Sequence, residues 1–497
     1  MISNMRRPPG RALMLQGTGS DVGKTLLVAG LCRLAARRGL SVRPFKPQNM
    51  SNNAAVAFDP VNGGAGEIGR AQWLQALACG IPPSTDMNPV LIKPDSDTGA
   101  QLIVQGQVAG RAEAKSYQTL KGRLLPAVLE SFQRLKAEAD LVIVEGAGSP
   151  AEINLRDRDI ANMGFAEAAG VPVVLVGDID RGGVIAALAG THLILPENDR
   201  ALIKGFIINK FRGDLSLFDE GLAAITRFTG WPSFGVAPWI KAASLLPSED
   251  GVILERRRAS SGASIKIAVP MLSRIANFDD LDPLAAEPGV EVVFVAPGQR
   301  IPGDARIIII PGTKSTIADL AMLRAQGWAD DIAAYRARGG SVVGLCGGYQ
   351  MLGRTIADPD GAEGQAGEAA GLGLLDVETV LAPQKIVRLA SGRAIAGGAP
   401  VSGYEIHIGR TYGPDCARPL FELANGPDGA MSADGKVMGA YLHGVFGSDA
   451  FRRTFLAGFG HAAIGGSYHD GVLAALDAVA DALEQSLDIE GLFALAR

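Results

Sequence analysis

The chain has 497 residues, 47% of them hydrophobic and 20% charged, with 64 glycines. That is about three times the ~150-residue prior for one domain, so a single small binding module and a disordered chain are both excluded. Its 47 basic and 52 acidic residues leave a net charge of −5, which supplies no field for a nucleic-acid backbone.

Arg6 and Arg7 lead into the apolar run Ala12–Gln16, which is too short for a signal peptide. No run of ~18 apolar residues follows anywhere, so no membrane span is expected. Cys32, Cys79, Cys346 and Cys416 lack the spacing of a disulfide framework or a zinc site. A soluble protein of the reducing cytoplasm is expected.

From Arg11 to about Lys241, short runs of Val, Ile and Leu alternate with segments of helical period. This is the pattern of βαβ units around a parallel sheet. The predicted strands are Leu13–Gln16, Val42–Lys46, Leu141–Glu145, Val173–Gly177, Gly205–Asn209 and Phe234–Ala237. Ligands of such a sheet gather at the carboxyl ends of its strands.

The first strand runs into Gly17-Thr18-Gly19-Ser20-Asp21-Val22-Gly23-Lys24-Thr25, and helix-forming residues Leu26–Arg37 follow. Strand, glycine loop and helix form a phosphate cradle for ATP. Backbone N–H groups of Gly17, Thr18, Gly19, Asp21, Val22 and Gly23 wrap oxygens, Lys24 reaches the β/γ-phosphates, and the Thr25 hydroxyl binds Mg²⁺. The first glycine of the usual spacing is displaced by one residue, since position 18 is Thr, which makes this a variant loop.

Glu145, closing the strand Leu141–Val144 before Gly146-Ala147-Gly148-Ser149, is the second expected Mg²⁺ ligand, unless it only caps the next segment. Asn209, before Lys210, is the expected reader of the base. Lys46 can neutralise a phosphate or an acyl phosphate as it forms. Beside it the amide-rich stretch Gln48, Asn49, Ser51, Asn52 and Asn53 suits a polyfunctional acidic substrate, or forms a polar turn. In Arg156-Asp157-Arg158-Asp159, Asp157 either contacts substrate or belongs to a solvated salt-bridge face.

The pattern lapses over Pro247–Ser264, where Glu255-Arg256-Arg257-Arg258 reads as a solvated connection. Residues 1–245 are therefore expected to form the ATP-dependent domain, 246–264 a linker and 265–497 a second α/β domain. Its predicted strands are Ile265–Val269, Val290–Val295, Arg306–Ile310, Ser341–Leu345 and Val437–Tyr441, with Gly361–Gly371 as a surface loop.

Ser341–Leu345 ends at Cys346, and Gly347-Gly348-Tyr349-Gln350 turns into a helix. A thiol on such a sharp turn is exposed at a helix N-terminus, which favours the thiolate. Among five histidines His443, in Tyr441-Leu442-His443-Gly444, is the expected base, with His407 second. His192, His461 and His469 read as surface or cap residues. Pro311-Gly312-Thr313-Lys314 follows a predicted strand, so the backbone N–H groups of Gly312 and Gly347 are candidates to hold an oxyanion.

Together these motifs, with Lys46-Pro47-Gln48-Asn49-Met50-Ser51, Asn209-Lys210-Phe211-Arg212-Gly213 and Asn277-Phe278-Asp279-Asp280-Leu281-Asp282-Pro283-Leu284, closely resemble the cobyric acid synthase family. These are glutamine-dependent amidases of cobalamin biosynthesis. The resemblance spans nearly the whole chain. It implies an N-terminal P-loop domain of the dethiobiotin-synthetase type and a C-terminal class I glutamine amidotransferase domain. It further implies ATP, Mg²⁺ and glutamine-derived ammonia acting on adenosylcobyrinic acid a,c-diamide at its b, d, e and g carboxylates, through acyl phosphates. In class I amidotransferases a Glu usually stands two residues after the catalytic His, and here that position is Val445. What orients His443 stays open between Glu405 and a backbone carbonyl. The rival readings are the sister enzyme that amidates the a and c side chains, and a partitioning-type ATP switch without glutaminase activity.

Overall fold

A computed structural model describes residues 10–95, 99–247, 264–364 and 366–497, so most of the expected linker, with its basic run, lies outside them. In the first half β1 (Arg11–Gly17) and β2 (Val42–Phe45) are followed by six short strands. These are β3 (Gln48–Met50), β4 (Ala54–Phe58), β5 (Ala65–Gly69), β6 (Val90–Pro94), β7 (Gly99–Val104) and β8 (Gln107–Glu113). The chain then returns to β9 (Leu141–Glu145), β10 (Val173–Asp178), β11 (Ile203–Phe211) and β12 (Ser233–Pro238). All six predicted strands are present, in one parallel sheet of order β12-β11-β10-β1-β9-β2.

Alternation along β1 explains the layers. Leu13 and Leu15 enter one core with the helix Lys24–Arg37, and Ala12 and Met14 enter another on the opposite face. Register places Leu15 beside Glu145 and Gly17 beside Val176, so the glycine loop opens where neighbouring strands end.

The amide-rich stretch divides, with residues 51–53 forming a polar turn in which Ser51 Oγ accepts from the Asn53 N–H. Gln48–Met50 is strand β3 in a second sheet of order β3-β6-β7-β8.

The second half builds a sheet of order β14-β13-β15-β16-β24-β23. Its strands are β13 (Ile265–Pro270), β14 (Val290–Val295), β15 (Ile307–Ile310), β16 (Ser341–Leu345) and, after an excursion, β23 (Ala430–Met431) and β24 (Val437–Ala440). The excursion comprises β17 (Thr355–Asp358), β18 (Gly367–Ala370), the long pair β19 (Glu378–Ala394) and β20 (Pro400–Tyr412), β21 (Phe421–Leu423) and β22 (Gly426–Asp428). Part of the expected loop Gly361–Gly371 is therefore strand β18, paired with β17.

Packing also departs from the expected boundary at 265–497. The helices Tyr468–Ser486 and Ile489–Leu495 return to the first half, where Leu476, Val479, Leu483 and Leu492 join the core of the helix Lys24–Arg37. Gly30 permits the approach, since a Cβ there would lie 2.5 Å from Leu483 Cδ1. Arg33 and Asp477 pair at 2.8 Å along the same seam. Among the described residues no helix is long and apolar enough to cross a membrane.

Candidate active sites

Two sites emerge, one in each half. At the first, Lys24 Nζ donates to the carbonyls of Gly19 and Gly148 at 3.1 Å each. Thr25 Oγ1 donates to Glu145 Oε1 at 2.8 Å, Lys46 Nζ lies 2.8 Å from the same oxygen, and Gln75 Nε2 donates to Oε2 at 2.6 Å. Burial alone would raise the Glu145 carboxyl, but Lys46, Gln75 and Thr25 hold it below the usual carboxylate range. Gln75 had no sequence signal, because it reaches Glu145 from the separate helix Arg70–Ala78.

Asp21 (φ 56°) and Gly23 (φ 92°) take left-handed backbone at the loop's tip. A Cβ on Gly23 would fall 2.3 Å from Asn209 Nδ2. That amide donates to the Val22 carbonyl at 2.8 Å, so Asn209 braces the phosphate loop, and it does not line the adjoining cavity.

The cavity has a volume of about 1300 Å³ and joins the loop to Lys46, Gln48, Asn49, Glu145 and Asp159. Ser51, Asn52 and Asn53 do not line it. Ser51 and Asn53 are buried behind it, and Ser51 Oγ accepts from the Asn53 N–H. Asp157 is not brought to the cavity either. Its side chain is 93% exposed and lies 3.8 Å from Arg158 Nε, the solvated alternative. Asp159 instead accepts from the N–H groups of Ala161, Asn162 and Gly164 at the start of the helix Met163–Ala169.

Thr25 Oγ1 and Glu145 Oε1 are two hard oxygen donors side by side at the phosphate cradle, a set that fits Mg²⁺ completed by phosphate and water. Among the described residues there is no group of three or more His, Cys, Asp or Glu that could hold a metal ion.

At the second site β16 delivers Cys346 with φ 50° and ψ −107°, a strained turn into the helix Gly347–Leu352. Gly344 and Gly348 make the turn fit: a Cβ on Gly344 would lie 2.6 Å from the Gly348 carbonyl oxygen, and one on Gly348 would lie 2.1 Å from that of Ile310. The Cys346 thiol donates to the Ile406 carbonyl at 3.7 Å.

His443 follows β24, and its Nδ1 lies 2.6 Å from Asp280 Oδ2. Asp280 Oδ1 accepts from the Gly444 N–H, also at 2.6 Å. The orienting carboxylate is thus Asp280, in place of Glu405 or a backbone carbonyl. Glu405 is engaged by Arg388 and lies 3.8 Å from His407. Asp280 stands 163 residues before the histidine it serves. Its signal in the sequence is the motif Asn277–Leu284, in which nothing local ties Asp280 to a histidine.

Burial would lower the His443 pKa, but Asp280 and then Cys346 raise it well above the ordinary value. With Nδ1 taken, Nε2 is the nitrogen left for the thiol. Gly312 and Gly347 line the pocket with Cys346 and His443. A Cβ on Gly312 would lie 3.2 Å from His443 Cε1, and one on Gly347 would lie 3.2 Å from the Thr313 nitrogen, so backbone alone fits on that side. His407 lines the same pocket, stacked on Tyr441 with ring centroids 3.8 Å apart. His461, expected at the surface, is buried, and its Nδ1 lies 2.8 Å from Ser264 Oγ.

The two sites adjoin across the β3-β6-β7-β8 sheet. On β6, Ile92 and Pro94 face the large cavity and Lys93, between them, faces the Cys346 pocket. Arg70 pairs with Asp279 at 2.9 Å, and the Ala54 N–H donates to Asn277 Oδ1 at 3.1 Å, fastening one half to the segment that carries Asp280.

In comparisons with known proteins, separate family profiles match the two halves. The profile of the CobQ/CobB/MinD/ParA nucleotide binding domain matches residues 13–253, and that of the CobB/CobQ-like glutamine amidotransferase domain matches residues 266–451. The cobyric acid synthase of Mesorhizobium japonicum is 65% identical over 489 residues, covering 98% of this chain and 100% of that protein. The cobyric acid synthase of Brucella canis is 63% identical over 486 residues, with coverage of 98% and 100%.

Proposed function

This chain belongs to the cobyric acid synthase family, and we propose that it amidates the b, d, e and g carboxylates of adenosylcobyrinic acid a,c-diamide with ATP and glutamine. The observation that carries the reading is the placement of a phosphate loop and a Cys346–His443–Asp280 triad on opposite faces of one four-stranded sheet. A carboxylate resists attack because oxide is a poor leaving group. Phosphoryl transfer from ATP turns it into an acyl phosphate, ammonia attacks the acyl carbon, and phosphate leaves.

In this reading the Gly17–Thr25 loop and Lys24 hold the triphosphate, and Lys46 moves from Glu145 to the phosphoryl oxygens as charge develops. Mg²⁺ held by Thr25 and Glu145 would neutralise the β- and γ-phosphates. Gln48 and Asn49 meet the corrinoid in a cavity larger than a nucleotide alone needs.

At the second site Cys346 passes its thiol proton to His443 Nε2 and attacks the glutamine amide carbon, and the backbone N–H groups of Gly312 and Gly347 receive the oxyanion. His443 gives its proton to the departing ammonia, and then takes one from the water that hydrolyses the thioester to glutamate. At neutral pH free ammonia is mostly protonated, so release beside the acyl phosphate supports joining the two sites in one chain.

The test is mass spectrometry of adenosylcobyrinic acid a,c-diamide after incubation with Mg-ATP and glutamine. Four added amides are expected. With Cys346→Ser, glutamine-driven product should vanish and ammonia-driven product persist. Two amides added to cobyrinic acid, with none added to the diamide, would point to the sister activity.

A further inference from the structure

The pocket of Cys346 and His443 is also lined by Lys93, Lys314, Lys385 and Glu363, none of which the attack or the proton transfers use. Lys93 Nζ lies 2.9 Å from Glu67 Oε2, and Lys385 reaches the other oxygen of that fully buried carboxylate. Lys314 and Lys385 each donate to Gln101 Oε1 at 3.0 Å. Three ammonium groups therefore gather around one carboxylate and one amide.

Among the described residues Lys314 makes no ion pair, and neither does Glu363. The Glu363 carboxylate accepts from the Thr316 N–H at 2.6 Å and from the Thr316 hydroxyl at 2.9 Å. Burial lowers the Lys314 and Lys385 ammonium pKa values and pushes the Glu363 carboxyl up to about 7. Lys314 and Glu363 thus line one pocket as buried groups of opposite sign with no ion pair between them, and a ligand carrying both charges would supply each with a partner.

An L-α-amino acid is such a ligand, with a carboxylate and an ammonium on one carbon. We propose that Lys314, flanked by Lys93 and Lys385, receives the α-carboxylate of glutamine and that Glu363 receives its α-ammonium. This rests on the glutaminase reading above. Lys314 lies two residues beyond Gly312, so one loop addresses both the reacting amide and the head group. Lys93 comes from the other half of the chain, on β6, so the glutamine site is complete only when the two halves are docked.

Glutaminase and amidation kinetics on the full chain test this. Lys314→Met and Glu363→Gln should each raise KM for glutamine roughly tenfold to a hundredfold. Amidation driven by ammonium chloride should keep its rate, which also reports that the variants fold. On the unaltered protein, 4-aminobutanamide, which lacks the α-carboxylate, should be hydrolysed at least about tenfold less efficiently than glutamine, and that gap should shrink in Lys314→Met. An unchanged glutamine KM in both variants, or equal hydrolysis of the two amides by the unaltered protein, overturns the proposal. A parent protein that amidates nothing even with ammonia would overturn the functional reading, and this one with it.

Discussion

Asp280 touches both the ring nitrogen of His443 and the N–H of Gly444, so one carboxylate fixes the imidazole and the turn that carries it. Asp280→Asn should therefore lower glutamine-driven turnover by about a thousandfold to ten-thousandfold, by analogy with a triad Asp in the wrong hydrogen-bonding state. The ammonia-driven rate should hold. A pH effect accompanies this. Because the His443 pKa is raised in the folded protein, the native state keeps a proton that the unfolded chain releases above about pH 6.5. The associated stability is fully present below that pH and is lost as pH rises through the folded value. Thermal unfolding across this range should show a fall with pH in the parent that is flatter in Asp280→Asn.

Among the secondary elements, the helix Tyr468–Ser486 decides where the first core ends. Its buried face meets the helix Lys24–Arg37, with Leu483 fully buried above Gly30. Leu483→Ala should cost about 2–5 kcal/mol, read as a lowered midpoint in urea unfolding, because the close approach at Gly30 leaves little to collapse into the cavity. The same contact explains why the last helices of the chain pack with the first half although they follow the second in sequence. The helix is amphipathic wherever it packs, and nothing in its own period names its partner.

For the molecule as a whole, the β3-β6-β7-β8 sheet is both a wall of the large cavity and the surface on which the second half docks. Leu91 and Ile103 on its other face pack with Tyr404 and Ile406. Arg70 and Asp279 add a buried ion pair to this interface. Arg70→Met would leave Asp279 buried and unpaired beside Asp280, at a cost of about 3–5 kcal/mol. We expect a lowered denaturation midpoint, and more glutamate released per amide formed than in the parent.

The sequence by itself determined the six parallel strands of the first half, the phosphate loop and the Cys346 turn, because each is set within a few residues by alternation, glycine spacing and a following helix. It also ranked His443 above His407, and the structure sets a carboxylate 2.6 Å from the His443 ring nitrogen and one 3.8 Å from that of His407. Only the tertiary structure decided the partners. Asp280 and His443, Gln75 and Glu145, and Lys93 and the Cys346 pocket each join distant segments, and no local pattern encodes such a meeting. Asn209, expected at a strand end, lies two residues inside β11 with its amide serving the loop backbone, and Asp157 faces solvent. Residue type and strand end are local properties. Which atom a side chain finally reaches depends on how separate layers pack, and that is settled by burial across the whole chain.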